Sequence, residues 1–217
     1  MDIGKAFTYT FEDESWLTKI LLGGLFTFLS IILVGIPFML GYFTETIKNV
    51  YLGQPRPLPN WGDNLGGLFA KGLKVVVGVL VWSLPIIVFS CIYGVVLGTA
   101  TSNLQRGQEG LITAVSICFN CLVIIYSLVM SAALPAALMK FAVTEQLGAF
   151  FAFRDIFGFI TSNLGNYIIA LIVYWLASFI GSFGVILCFV GMFFTVWWST
   201  LVGAHLFGQV YRAANPV

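Results

Sequence analysis

Residues 111–143 read LITAVSICFNCLVIIYSLVMSAALPAALMKFAV. One charged side chain, Lys140, stands in this run, and it lies near the end. A helix that crosses the hydrocarbon layer needs about 20 mostly apolar residues. Lipid offers the backbone no hydrogen-bond partner, so a long apolar run reads as a helix, which satisfies its own N–H and C=O groups. The stretch is long enough to cross once with residues to spare.

The same reading extends outward. Hydrophobic residues make up 59% of the 217-residue chain and charged residues 9%, against about 45–50% and about 25% in soluble domains. So few charges cannot cover a surface facing water, and the mean hydropathy of +0.99 agrees. The expected fold is all-α, a polytopic transmembrane helix bundle forming a single domain over 1–217. Its spans fall at about 17–43, 73–97, 111–143, 165–184 and 187–210. Gly181, Gly184 and Gly191 interrupt the last stretch and place a tight turn near Phe183 to Ile186. A six-span rival follows if Gly35 to Pro37 folds the first run into a hairpin, although each arm is then near the lower limit for crossing.

Three connectors punctuate the spans. Pro55, Pro57 and Pro59 stand at alternate positions, which forbids a helix and favours extended chain. Asn60 can cap a short helix running through Trp61 and Phe69 towards Lys71 and Lys74. Residues 99–110 are polar and suit a plain turn. Residues 146–165 place five phenylalanines around Arg154 and Asp155, as in a helix lying in the interface. The segment from Phe7 to Trp16 has a similar character.

Lys and Arg collect on the cytoplasmic side. With five spans and a cytoplasmic C-terminus, the 44–72 connector is also cytoplasmic, and seven of the ten basic residues lie inside. The N-terminal segment, with Lys5 and Lys19, then lies outside. The six-span rival puts all but Arg106 inside and both ends in the cytoplasm.

Net charge is +1, which rules out a strong field for nucleic acid. Cys91, Cys118, Cys121 and Cys188 all lie in apolar stretches, where they read as small helix residues rather than a disulfide framework. The first twenty residues carry Asp2, Glu12, Asp13 and Glu14, unlike the basic start of a signal peptide. No Gly-x-Ser-x-Gly, His-Glu-x-x-His or P-loop pattern occurs, so no catalytic residues and no enzyme activity are expected.

Charges inside a membrane are costly and so are functional candidates. His205, the single histidine, could bind a cofactor such as haem or a chlorin through its imidazole, or pack at the interface. Asn120, near the middle of the third run, suits interhelical hydrogen bonding more than substrate contact. Gly94 with Gly98, and Ala133 with Ala137, let helices approach closely and serve internal packing or subunit contact equally well. Trp16, Trp61, Lys71, Lys74, Arg154, Tyr211 and Arg212 are expected as interfacial anchors. Pro37 and Pro135 form the one transport-like feature, a pair of prolines at corresponding places.

Several pieces carry a resemblance. They are Phe7-Thr-Tyr-Thr-Phe11 followed by Asp13 and Trp16, then Gly41-Tyr42, then Leu58-Pro59-Asn60-Trp61, and finally His205-Leu-Phe-Gly208-Gln209-Val-Tyr211-Arg212. Together they resemble an uncharacterised archaeal and bacterial membrane family, domain of unknown function 4013. The resemblance implies a multi-pass fold without a known activity and supplies no catalytic residues; no cofactor is expected. The function expected from the residues is a non-enzymatic accessory or scaffold subunit in the cell membrane. Its partners would be the lipid bilayer and other membrane protein subunits or a second copy. A small permease or channel is the alternative, and a pigment- or haem-binding subunit using His205 a weaker one.

Overall fold

In a computed structural model, residues 1–102, 109–186 and 190–216 are described. The first apolar run, expected as one crossing at 17–43, is two helices. After α1 (Ile3–Thr8), α2 (Trp16–Leu29) ends in a 3-10 turn, and α3 (Gly35–Tyr51) returns beside it. Leu33 turns the chain with φ 67°, and its N–H donates to Ser30 O at 2.9 Å. A Cβ on Gly35 would lie 1.9 Å from the carbonyl oxygen of Phe26, so only glycine lets the second arm start this close to the first. The short arms are tolerated because they do not stand alone in lipid. α3 buries Tyr42, Phe43, Thr44, Thr46 and Ile47 against its neighbours, so the length required of an isolated helix does not bind it.

The remaining helices are α4 (Leu65–Ser102), α5 (Glu109–Thr144), α6 (Phe153–Ser162), α7 (Leu164–Ser182) and α8 (Val190–Ala214). No strand occurs among the described residues. Four stretches are long and apolar enough to cross a membrane: Leu65–Thr99, Gly110–Thr144, Leu164–Ile186 and Val190–Ala214. The chain is an integral membrane protein built as an all-α bundle. The turn expected between the last two spans is a 3-10 turn at Phe183–Ile186. The short helix expected after Asn60 is instead the first part of α4, and Asn64 caps it by accepting from Gly67 N at 2.9 Å. Asn60 donates to Asp63 Oδ2 at 2.9 Å. The turn expected at 99–110 lies largely outside the described residues, and so does Arg106.

Both termini lie at one end. Asp2 N donates to Gln209 Oε1 at 2.6 Å, and Gln209 Nε2 donates to Asp2 O at 3.0 Å. Lys19 Nζ donates to Leu58 O in the proline-rich connector at 2.9 Å. The N-terminal segment and that connector therefore lie on the same side of the bundle, as in the six-span rival, whereas the five-span arrangement places Lys5 and Lys19 opposite the connector. Six helices (α2, α3, α4, α5, α7 and α8) each have one end at this polar end of the bundle.

The centre of the bundle is a close crossing of α3 and α4. A Cβ on Gly72 would lie 1.6 Å from Pro37 O, and one on Gly41 would lie 1.9 Å from Leu68 O. Each helix thus offers a glycine to the other's backbone, so the two approach at a distance no side chain permits. Around this contact Phe43, Ile47, Val75, Ala137, Phe141, Val202 and Phe207 form one core. Tyr9, Tyr42, Leu58, Trp61, Trp197 and Leu201 form a second, more aromatic one.

Two outcomes follow from this packing. Gly72→Ala should destabilise the detergent-solubilised protein by about 3 kcal/mol or more, the upper end for overpacking, because backbone meets backbone. Gly66→Ala, which meets nothing within 4 Å, should be neutral or slightly stabilising, and thermal unfolding compares the two. Compartment-sensitive reporters fused to either terminus should give the same side, and opposite sides would refute the six-helix path.

Candidate functional site: two polar cavities at one end of the bundle

The first cavity is built by the ends of three helices. α3 brings Glu45 and Lys48, α4 brings Lys71 and Lys74, and Glu145 follows the last turn of α5. Lys48 Nζ meets Glu145 Oε1 at 2.5 Å and Lys71 Nζ meets the same oxygen at 2.8 Å. Lys71 also pairs with Glu45. Glu145 holds φ 57°, a left-handed backbone that costs a residue with a side chain about 1 kcal/mol or more. Its N–H still donates to Phe141 O at 2.7 Å and closes the helix. Hydrogen bonds from Lys48 and Lys71 hold its carboxyl down at about 2, against partial burial that pushes the other way. The cavity, about 480 Å³, is lined by the acids Glu45, Asp63 and Glu145 and the bases Lys48, Lys71 and Lys74. Their signs balance, so its chemistry is that of an ionic clamp joining α3, α4 and α5.

The second cavity, about 320 Å³, lies between the N-terminal segment, the connector and the C-terminal part of α8. At its margin Asp13 and Lys19 pair at 2.7 Å, and their side chains are 7% and 6% exposed. Asp13 Oδ1 accepts from Ser15 N and Oγ at 2.9 and 2.8 Å, and Lys19 takes Leu58 O as a second acceptor. Every polar atom of the pair therefore has a partner, as a buried ion pair requires. Burial pushes the Asp13 carboxyl up, but Lys19 and Ser15 outweigh it and the net direction is down. Tyr9 donates to Leu201 O at 2.8 Å, and burial pushes its phenol well above the usual range. Its ring packs on the imidazole of His205 at 4.3 Å between centroids.

His205 is 7% exposed, and its Nδ1 lies 2.8 Å from Gln209 Nε2. The amide orientation of Gln209 is set by Asp2 N, which must donate to Oε1. Nε2 is then a donor to both Asp2 O and His205. The imidazole accepts at Nδ1 and carries its proton on Nε2. A tetrapyrrole wants a flat apolar slot beside its ligand. Here one face of the ring is covered by Tyr9, and the adjoining space is lined by Lys5, Glu12, Arg56 and Arg212. The haem or chlorin expectation for His205 does not suit these surroundings.

Among the other residues singled out from sequence, Trp16 stays at the surface against Phe11, with centroids 5.3 Å apart. Trp61 is no surface anchor. It is 5% exposed, packs on Tyr42 at 4.3 Å and Phe26 at 4.7 Å, and donates to Lys19 O at 3.3 Å. The prolines before it fold the connector back over α2 and α3. Lys71 belongs to the clamp, while Lys74 and Arg154 are exposed. Tyr211 sits between Tyr51 and Phe159, each 5.4 Å away. Ala133 and Ala137 are wholly buried. Asn120 is exposed and donates to Ser116 O on its own helix at 2.8 Å. A Cβ on Gly94 or Gly98 would meet nothing within 4 Å. Cys91, Cys118 and Cys121 are free and exposed, and Cys188 lies outside the described residues. No group of His, Cys, Asp or Glu able to hold a metal occurs among the described residues.

A family model described as protein of unknown function (DUF4013) matches residues 24–190. The chain belongs to that family. No curated protein and no solved structure matches it. The DUF4013 match includes the clamp of Glu45, Lys48, Lys71 and Glu145, but ends before His205 and begins after Asp13 and Lys19. The N-terminal and C-terminal pieces that carried the resemblance thus lie outside the matched residues. Sequence reasoning also missed the Asp13–Lys19 pair. A lysine two residues inside an apolar run demands a carboxylate; Glu14 and Asp13 stand five and six residues earlier, and the structure gives Asp13 to Lys19 and Glu14 to Arg56.

Glu145→Gln should cost about 1–2 kcal/mol at pH 7, a figure discounted because the side chain is 41% exposed and water screens the pair. A depressed carboxyl stabilises fully above its unfolded value of 4.5 and loses that contribution as pH falls towards about 2. The gap between wild type and Glu145→Gln should therefore shrink by about half or more between pH 7 and pH 3, read by unfolding in detergent. Glu145→Gly, which removes the backbone cost, should be milder than Glu145→Gln.

Proposed function

We propose that this protein is a non-enzymatic accessory or scaffold subunit of the cell membrane, with its polar end in the cytoplasm, that packs against another membrane protein through α4 and α5. The observation that carries the reading is how bare the far part of that helix pair is. No residue from 83 to 99 is buried, and none from 110 to 132. On α5 the half-covered positions from 112 to 130 are Ile112, Ser116, Phe119, Val123, Tyr126 and Met130. They recur at alternating intervals of four and three, the seam of a two-helix coil. Along it Tyr93 stacks on Phe119 at 3.9 Å and donates to Ser116 Oγ at 2.7 Å. Every other face is open, with Phe89, Ile92, Val95, Leu122, Ile125 and Leu128 among the exposed side chains.

Lipid alone can cover an apolar helix, but length argues for more. α4 has 38 residues and α5 has 36, so each is about 55 Å long at about 1.5 Å per residue. The hydrocarbon layer is about 30 Å thick. Tilt absorbs part of the excess, and the helices of a partner would cover the rest. Gly94 faces open space, which allows a foreign helix to approach closely. Asn120 lies on the same bare surface, where an amide gains from a partner that lipid cannot supply. The side assignment rests on basic residues, since those among the described residues belong to the polar end.

The permease alternative draws no support from the packing, because the space between α3, α4, α5 and α8 is filled by Phe43, Ile47, Val75, Ala137, Phe141 and Val202. A photo-crosslinking residue at Val95 or Leu122, introduced in the native membrane, should yield one dominant adduct with a distinct membrane subunit, reduced by Gly94→Leu. Adducts with lipid alone, and a mild-detergent particle of one chain, would defeat the proposal. A self-adduct would replace it with a homodimer.

A further inference from the structure

We infer that the cavity at His205 binds a phosphate group. Arg212 is where the charge balance of this cavity fails. Among the described residues it makes no ion pair, whereas Lys5 is matched by Glu12 at 2.6 Å, Lys19 by Asp13 at 2.7 Å and Arg56 by Glu14 at 2.6 Å. The carboxylates lining the cavity are Glu12 and Asp13, and each is already taken by its own lysine. The charge left without a counter-ion is a guanidinium, with all its donors available.

That guanidinium is held in place. Gly53 has φ 72°, and a Cβ built there would lie 2.6 Å from Arg212 Nη1 and 2.7 Å from Nη2. The missing side chain makes room for the planar group against the turn that opens the connector. A guanidinium placed this way presents a fork that matches two phosphate oxygens.

A second donor converges from α8. His205 is 7% exposed and lines the same cavity. Its Nδ1 is occupied by Gln209, and its remaining ring N–H, on Nε2, makes no hydrogen bond among the described residues. It is also not among the fully enclosed unpartnered atoms, which places it in reach of the cavity. The network from Asp2 through Gln209 fixes the tautomer that makes Nε2 a donor at neutral pH. Lys5 and Arg56 on the wall add positive charge that an anion can share with their carboxylates. A volume of about 320 Å³ accommodates a phosphate and part of what it is attached to. A carboxylate would have to share the two oxygens in the fork with the histidine donor, whereas a phosphate keeps a further oxygen for it. A metal cation would meet an unmatched positive charge.

The phosphate can come from a phospholipid headgroup, since the cavity sits at the polar end of a membrane bundle, or from a soluble phosphate. Neither source involves the α4–α5 surface, so this site and the scaffold reading stand or fall separately. The test uses the full chain, delipidated in a maltoside detergent. Thermal unfolding and calorimetry follow titration with inorganic phosphate in one arm and with short-chain phosphatidylglycerol in the other, each against chloride at equal ionic strength. Wild type should be stabilised in at least one arm, and the arm that responds identifies the source. Arg212→Gln should weaken that response by about tenfold or more, the loss expected for a hydrogen-bonded charge pair. Arg212→Lys, which keeps the charge and loses the fork, should fall between. Arg212 is exposed, so both variants should keep the unliganded melting temperature. Should Arg212→Gln fail to fold, His205→Gln supplies the same comparison. Absence of stabilisation in both arms, or variants that respond like wild type, would overturn the site.

Discussion

An ammonium group removed from water must find a carboxylate close by, and Lys19 is 5% exposed. That requirement organises the chain. Breaking such a pair by removing one partner costs about 3–5 kcal/mol, so the segment carrying Asp13 is held beside the start of α2. The connector is held there too, because Lys19 takes Leu58 O as its other acceptor. With the N-terminal segment at the polar end, α2 must leave from that end. α3 must return to it before the connector begins, so the first apolar run has to fold in two. Gly35 is where it can, and the aromatic stack of Phe26, Phe38, Trp61 and Tyr42 closes over the hairpin.

Single long crossings were easy to read from sequence because nothing in them competes. Residues 111–143 contain one charge, and α5 covers them whole. The break between α7 and α8 was legible because three glycines stand within eleven residues of one apolar stretch. The first run defeated the length rule because that rule describes a helix exposed to lipid on all sides. Arms buried by neighbours need to meet the membrane on one face at most. The positive charges did favour the hairpin, which gathered all but Arg106 on one side, and here they were the better guide.

Small-residue motifs misled for a related reason. Gly94 and Gly98 stand at the spacing of a helix-packing motif, yet space around them is open. The glycines that do bring helices together, Gly41 and Gly72, have no glycine four residues away on their own helices. Each meets the backbone of a non-glycine residue, Leu68 or Pro37, so the contact is shared between two sequences and visible in neither. His205 was flagged as a ligand because it is the single histidine. Its partner Gln209 carried no such mark, although the pair stands one helical turn apart.

The polar end and the rest of the bundle follow different physics. At the polar end most charges are paired, and glycines, aromatics and ion pairs define one arrangement. Towards the other end the described residues of α4 and α5 are half-covered along one seam, and none of them from 83 to 99 or from 110 to 132 is buried. A soluble protein with that much bare apolar helix would aggregate. In a bilayer the same surface is tolerated wherever lipid reaches, and costs free energy wherever helices of about 55 Å outrun a layer of about 30 Å. The cost falls on the part of the molecule with the fewest internal contacts. The association proposed for that part would relieve the cost without disturbing the polar end.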